Sequence, residues 1–226
     1  MKKRIYISIM GTIGAGKTTV AKLLAHELKF KLLEEHFGEN AFLPRFYKDM
    51  KRWAFHSQMF FLMEKIKQML ETIKILEKYS IVQDTPIQQD ALSYGKAQYV
   101  LGNMDEAEWW LYLKVYKAFE PFMRAPDLIV FLETSTEVLQ TRIKKRGRTY
   151  EQQISTSYLE LLDMLNHKWL RENKSIRVLI VKTNHLDIVH YKKAREKLVS
   201  TVKKALAGKP IMGSSRQILH LGQLEA

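Results

Sequence analysis

Gly11-x-x-x-x-Gly16-Lys17-Thr18 sets small residues, a lysine and a hydroxyl at a spacing suited to polyphosphate. Polyphosphate carries closely spaced negative charge, and backbone N–H groups aimed inward hold it only where no bulky side chain intervenes. Gly11, Gly14 and Gly16 allow the backbone conformations and close approach of such a cradle, with Thr12, Ile13 and Ala15 completing the loop. A helix starting near Lys17 adds the positive end of its dipole. Lys17 is placed to reach the β- and γ-phosphates, and the hydroxyl of Thr18, followed by Thr19, is a natural Mg2+ ligand. The bare pattern has false matches, but here the apolar, β-rich run from Ile5 to Ile9 precedes it and the helical VAKLLAHEL follows. In that setting the loop reads as a nucleoside triphosphate site.

Other side chains fall where a transfer reaction needs them. Glu34-Glu35 end a short strand expected at residues 31–33, and open α/β sheets place catalytic groups at the C-terminal edges of their strands. One of the two acids is expected to be catalytic. Asp84 ends the buried run SIVQD, where it would hold Mg2+ directly or through water, or cap a helix beginning near Ile87. Asp90 lies six residues on. In the aromatic segment WAFHSQMFFL, Gln58 offers the paired donor and acceptor that can read a base edge, while His56 reads as a surface or satisfied core histidine. Arg142, Arg146 and Arg148 at a helix end suggest a mobile lid that closes over a phosphoryl group in transfer and offsets its charge.

The elements that must carry these groups are legible from apolar periodicity. Strands are expected near residues 5–9, 31–33, 80–84, 128–132 and 177–181, alternating with helices. That alternation predicts an α/β fold, a five-stranded parallel sheet with helices on both faces and a short arginine-rich lid. Residues 40–79 are mostly helical, and two further helices span 87–101 and 105–124. The second of these is heavily aromatic (Trp109, Trp110, Tyr112, Tyr116, Phe119), so it either packs centrally or supplies a subunit interface, and a homodimer is expected. Residues 1–206 read as one domain and 207–226 as a flexible, weakly patterned tail.

Composition sets outer bounds. A chain of 226 residues can bury a substantial core. The absence of cysteine excludes disulfides and thiolate metal sites, and the histidine spacing suggests no metal centre. No apolar run is long enough to cross a bilayer, so no membrane association is expected and the cytoplasm is the expected compartment. The net charge of +13 raises nucleic acid as a partner, but the basic clusters at 142–148 and 192–204 lack interleaved aromatics that would stack bases. Nucleic acid is therefore not expected as the main partner, and a surface and cleft adapted to polyanionic nucleotides, with a basic tail, accounts for the charge.

Taken in order, these motifs resemble the deoxynucleoside kinase family, the deoxyadenosine, deoxyguanosine and deoxycytidine kinases among the thymidine-kinase-like phosphate-loop enzymes. The likeness runs from about residue 5 to residue 206. It implies a P-loop kinase fold, ATP as phosphoryl donor with Mg2+, and a purine deoxynucleoside or deoxycytidine as acceptor in nucleotide salvage. It implies that Glu35 accepts the proton of the 5′-hydroxyl, that Tyr47 and Glu151 contact the sugar 3′-hydroxyl, and that Gln58 and Asp90 read the base. Arg142, Arg146 and Arg148 match the lid arginines, and residues 183–187 the loop near the adenine of ATP. Three positions depart from the pattern: His36 stands where a proline is usual, Lys65 where the base pocket has an arginine, and Asp84-Thr85-Pro86 where the family carries acid-Arg-Ser. A lost arginine removes positive charge beside the reacting oxygen. The alternatives are therefore a nucleoside-monophosphate or other small-molecule kinase, or a catalytically weak nucleotide-binding homologue. The lack of a further arginine pair for a substrate phosphate argues against the first of these.

Overall fold

A computed structural model describes residues 4–35, 37–208 and 216–219. The apolar runs form strands because both faces of each are covered, so near-continuous hydrophobic sequence replaces alternation. β1 (Tyr6–Gly11) is buried throughout and leads through the glycine loop into α1 (Lys17–Leu28). The short β2 (Lys31–Leu33) follows, then α2 (Leu43–Lys48) and the long α3 (Met50–Leu76), whose first turn is capped by the Asp49 side chain accepting from the Arg52 N–H. β3 (Ile81–Asp84) leads into α4 (Ile87–Gln89), a π-wound segment Asp90–Gly95 and α5 (Lys96–Val100). Then come α6 (Glu106–Phe119) with a complete capping box, β4 (Leu128–Glu133), α7 (Thr136–Arg146), α8 (Thr156–Glu172), β5 (Val178–Lys182) and α9 (Lys192–Ala207).

The sheet order is β2-β3-β1-β4-β5-β6 and every pair is parallel. The five expected strands are all present. A sixth, β6 (Arg216–Leu219), pairs with β5 at the edge, inside the stretch expected to be a flexible tail; the rest of that stretch beyond residue 208 lies outside the described residues. Register aligns the strand ends that matter: Ile9 faces Asp84 on β3 and Val130 on β4, and Leu132 faces Gly11 on β1 and Val181 on β5. The loops leaving β1, β3, β4 and β5 thus emerge along one edge.

One large apolar cluster packs Ile7, Ile9, Val130 and Val181 against Leu24, Leu159 and Leu198 of the flanking helices. A second gathers Phe46, Leu62, Met104, Tyr112 and Tyr116 beside the sheet. The aromatic helix α6 therefore packs centrally through Trp109, Tyr112 and Tyr116, while Trp110 is 60% exposed. The π segment fits because Gly95 carries no side chain: a Cβ there would lie 2.9 Å from the Tyr112 ring. Among the described residues no helix is long and apolar enough to cross a membrane.

Candidate active site

The phosphate loop is shaped by its glycines and held from beneath. At Gly14 the backbone takes φ +85°, and a Cβ would meet Ile143 and the Leu139 carbonyl at 3.0 Å, so only glycine lets α7 approach the loop. Gly11 is gripped by Gln89, whose Nε2 donates to the Gly11 carbonyl at 2.6 Å and whose Oε1 accepts from its N–H at 3.2 Å. Lys17 lies within the loop, its Nζ donating to the carbonyls of Gly11 at 2.9 Å and Thr12 at 3.4 Å and to the Tyr94 hydroxyl at 3.0 Å. Burial pulls the Lys17 pKa down, and the negative charges of Asp84, Glu35 and Asp90 work against that pull. The Thr18 hydroxyl donates to Asp84 Oδ2 at 2.6 Å, and the Thr85 hydroxyl to Asp84 Oδ1 at 3.2 Å. The helix that follows is capped by Pro86 without a side-chain bond, so Asp84 is not a cap.

Residues 13–20 form one wall of a cleft of about 970 Å³. Glu35, Tyr47, Gln58, Asp90 and Tyr94 also line it, as do Arg142, Arg146, Arg148, Glu151 and residues 183–190. Gly11, Thr12 and Asp84 lie behind the lining residues. Asp84 is 2% exposed and its side chain is held against the phosphate loop by Thr18. Of the two adjacent acids, Glu35 lines the cleft, whereas Glu34 turns to Lys22 on the surface at 2.9 Å.

Gln58 is buried, and its Oε1 has no hydrogen-bond partner. A buried amide oxygen facing a cleft without a partner is set to accept from a ligand. Asp90 is likewise buried with Oδ2 lacking a hydrogen bond; burial raises its pKa well above the ordinary carboxylate range, with nearby Lys65 opposing the rise. Tyr47 stacks on Tyr150 with ring centroids 5.5 Å apart, which brings α2 to the lid beside Glu151. His56 departs from both expectations for it: it is half-buried among Phe42, Trp53 and Phe55, and its Nδ1 has no partner.

The three arginines divide. Arg146 and Arg148 converge on the buried Glu151, Arg148 at 3.1 Å and Arg146 in a shorter charged bond. Arg142 instead donates to the Thr183 carbonyl at 2.6 Å, the Thr183 hydroxyl at 3.1 Å and the Ala15 carbonyl at 3.4 Å. It ties the phosphate loop to the loop after β5, and burial lowers its pKa. Gln89 and Tyr94, which support the loop and Lys17, were not singled out by the sequence. Their five-residue separation brings both to Gly11 only because the backbone between them is π-wound, a feature without a residue signature.

Comparison with known proteins agrees with this geometry. The profile described as Deoxynucleoside kinase matches residues 7–207. The deoxyadenosine/deoxycytidine kinase of Bacillus subtilis (strain 168) is 31% identical over 202 residues, 88% of this chain and 92% of that protein. The deoxyadenosine kinase of Dictyostelium discoideum is 35% identical over 167 residues, 74% and 67% of the two chains. Among solved structures, the deoxyadenosine kinase from M. mycoides with products dCMP and a flexible dCDP bound matches with a TM-score of 0.77 at 28% identity, covering 88% of this chain and all of that one. The same enzyme with bound dCTP gives a TM-score of 0.75. Since the likeness extends over nearly the whole chain in both sequence and fold, the protein belongs to the deoxynucleoside kinase family and is a phosphotransferase acting on a nucleoside hydroxyl.

Proposed function

We propose that the chain transfers the γ-phosphoryl group of ATP to the 5′-hydroxyl of a purine deoxynucleoside or deoxycytidine, yielding the 5′-monophosphate and ADP. The observation that carries this reading is that Glu35 and Gln58 line the same cleft as the phosphate loop. A proton acceptor, an amide reader and a polyphosphate cradle share one space, and phosphoryl transfer to a neutral hydroxyl asks for little beyond these and a charge clamp. The names of the similar enzymes, which cover deoxyadenosine, deoxycytidine and deoxyguanosine, support the acceptor class.

In this reading Lys17 exchanges its bonds to Gly11, Thr12 and Tyr94 for the donor phosphates. Gln58 and Asp90 hold the base, and Tyr47 and Glu151 the sugar 3′-hydroxyl. Glu35 takes the 5′-hydroxyl proton as the oxygen attacks phosphorus. Arg146 and Arg148, poised on Glu151, offset the charge that spreads over the transferring group, while Arg142 holds the loop at 183–187 beside the adenine. Thr18 and Asp84 present two hard oxygens 2.6 Å apart, the donor type Mg2+ takes when it shares its coordination with phosphates. When bound, Mg2+ would neutralise part of the phosphate charge.

The test is Glu35→Gln assayed with ATP, Mg2+ and each deoxynucleoside. The expected result is a loss of kcat of about 100- to 10,000-fold with ATP binding intact. Turnover within about threefold of the unsubstituted enzyme would remove Glu35 from the role.

A further inference from the structure

Lys65 has no part in the chemistry above, yet it sits beneath it. It is 3% exposed on α3, and its Nζ donates to the backbone carbonyls of Asp84 at 3.0 Å and Thr85 at 2.5 Å. The same nitrogen lies 3.3 Å from Glu35 Oε1 and 3.7 Å from Asp90 Oδ2. A buried ammonium is costly unless paired and hydrogen-bonded. Here both conditions are met by groups at the end of β3 and in the cleft.

Charge around the acceptor side explains why a cation is needed. Glu35 at the end of β2, Asp84 on β3 and Asp90 on the π segment are three acids close together, facing Lys17 from α1, Lys65 from α3, and Arg146 from α7 beyond them. Lys17 is committed to the phosphate loop, and Arg146 to Glu151. Lys65 is thus the cation in contact with Glu35 among the described residues. Burial pulls its pKa down, but Glu35, Asp90 and Asp84 outweigh that and hold it above the ordinary lysine value, so it stays charged.

The β3–α4 corner shows where the charge would otherwise come from. The resemblance places an arginine at the position of Thr85. Thr85 is fully buried at φ +59°, a conformation a β-branched residue rarely takes, and its carbonyl is turned onto Lys65. No cation can be supplied from this corner, and α3 delivers one to it instead. We propose that Lys65 is the positioning residue for the proton acceptor: its ammonium, anchored on the Asp84 and Thr85 carbonyls, holds Glu35 in line with the phosphate loop and replaces the charge absent at position 85. This rests on the assignment of Glu35 given above. Asp90 shares the same ammonium, so the base side and the proton acceptor are braced by one buried group.

The experiment is a double-mutant cycle. Lys65→Met and Lys65→Gln are made alone and with Glu35→Gln; the glutamine keeps a donor for the carbonyls without the charge, and is read if the methionine variant fails to fold. In the single variants kcat is expected to fall about 10- to 100-fold, as a displaced acceptor carboxylate would cause, with KM for ATP changed less than about threefold. Lys65→Arg is expected to recover most of the loss. In the Glu35→Gln background the same substitutions should lower kcat by less than about twofold, because the group they position is gone. Losses that multiply across the two sites, or a Lys65→Gln enzyme with unchanged kcat, would overturn the proposal. Failure of the parent reading looks different, since Glu35→Gln itself would then retain turnover.

Discussion

Replacing Gln58 by leucine should weaken the enzyme and leave the fold intact or firmer. In the free protein the Gln58 amide oxygen is buried without a partner, a state that costs about 1–3 kcal/mol relative to a satisfied one. Leucine fills a similar volume without a polar atom, so the free protein should be unchanged or gain about 1 kcal/mol, raising Tm by about 2–4 °C in a chain of this size. The bound state moves oppositely. A base that would have bonded Gln58 then presents an unpaired polar edge to an apolar wall, again about 1–3 kcal/mol, equivalent to about a 5- to 150-fold loss of kcat/KM. The assay pairs initial rates on deoxyadenosine, deoxyguanosine and deoxycytidine at saturating ATP with thermal unfolding of the free protein. A kcat/KM within about twofold on all three substrates would refute the base-reading role. A Tm lowered by several degrees would show instead that Gln58 serves packing.

Two other outcomes follow from the geometry. Gly14→Ala must place a Cβ 3.0 Å from Ile143 and the Leu139 carbonyl at φ +85°, so it should destabilise by about 2 kcal/mol or more and raise KM for ATP at least tenfold; a stable variant with normal KM would show that the loop tolerates displacement. Tyr6, Tyr112, Tyr116 and Tyr158 have their pKa values raised by burial above the ordinary 10.0. Stability from such groups is complete below pH 10 and is lost above it, because the unfolded chain releases protons that the folded chain keeps. Each contributes up to about 1.4 kcal/mol of loss per pH unit, so about 5 kcal/mol should be gone by pH 11. Equilibrium denaturation at pH 9 and pH 11 checks this, and equal midpoints would show that the tyrosines ionise in the folded state.

The sheet and the phosphate loop were readable because both follow local rules. Apolar runs of three to five residues, bounded by turns and alternating with amphipathic helices, leave few options beyond a covered parallel sheet. The glycine spacing specifies its loop through backbone sterics alone. The placement of Glu35 in the cleft and of Asp84 against Thr18 was findable from their positions after strands. What escaped the sequence depends on long-range placement. Gln89 and Tyr94 reach Gly11 through a π segment that packs closely only because Gly95 meets Tyr112 on another helix. The division of Arg142 from Arg146 and Arg148 depends on Thr183, 41 residues away in sequence from Arg142. β6 was missed because pairing with a sheet edge can order a segment whose own pattern is weak.

Under the proposed function, the strand order separates the two ends of the reaction. β1 sits in the middle and ends in the phosphate loop, with β3 and β2 on one side and β4 and β5 on the other. Glu35 and Asp84 leave the first side, where α3 adds Gln58 and Lys65 and the segment after β3 adds Asp90. The Thr183 loop leaves the second, where Arg142 from α7 binds it. Under the proposed function, a ligand bridging the cleft would present its polyphosphate over β1, with the acceptor toward β2 and the donor's base toward β5. Apart from Glu151, which follows α7, the acids proposed to face the acceptor come from the β2–β3 edge. At that edge Glu35, Asp84 and Asp90 crowd around one buried cation, Lys65.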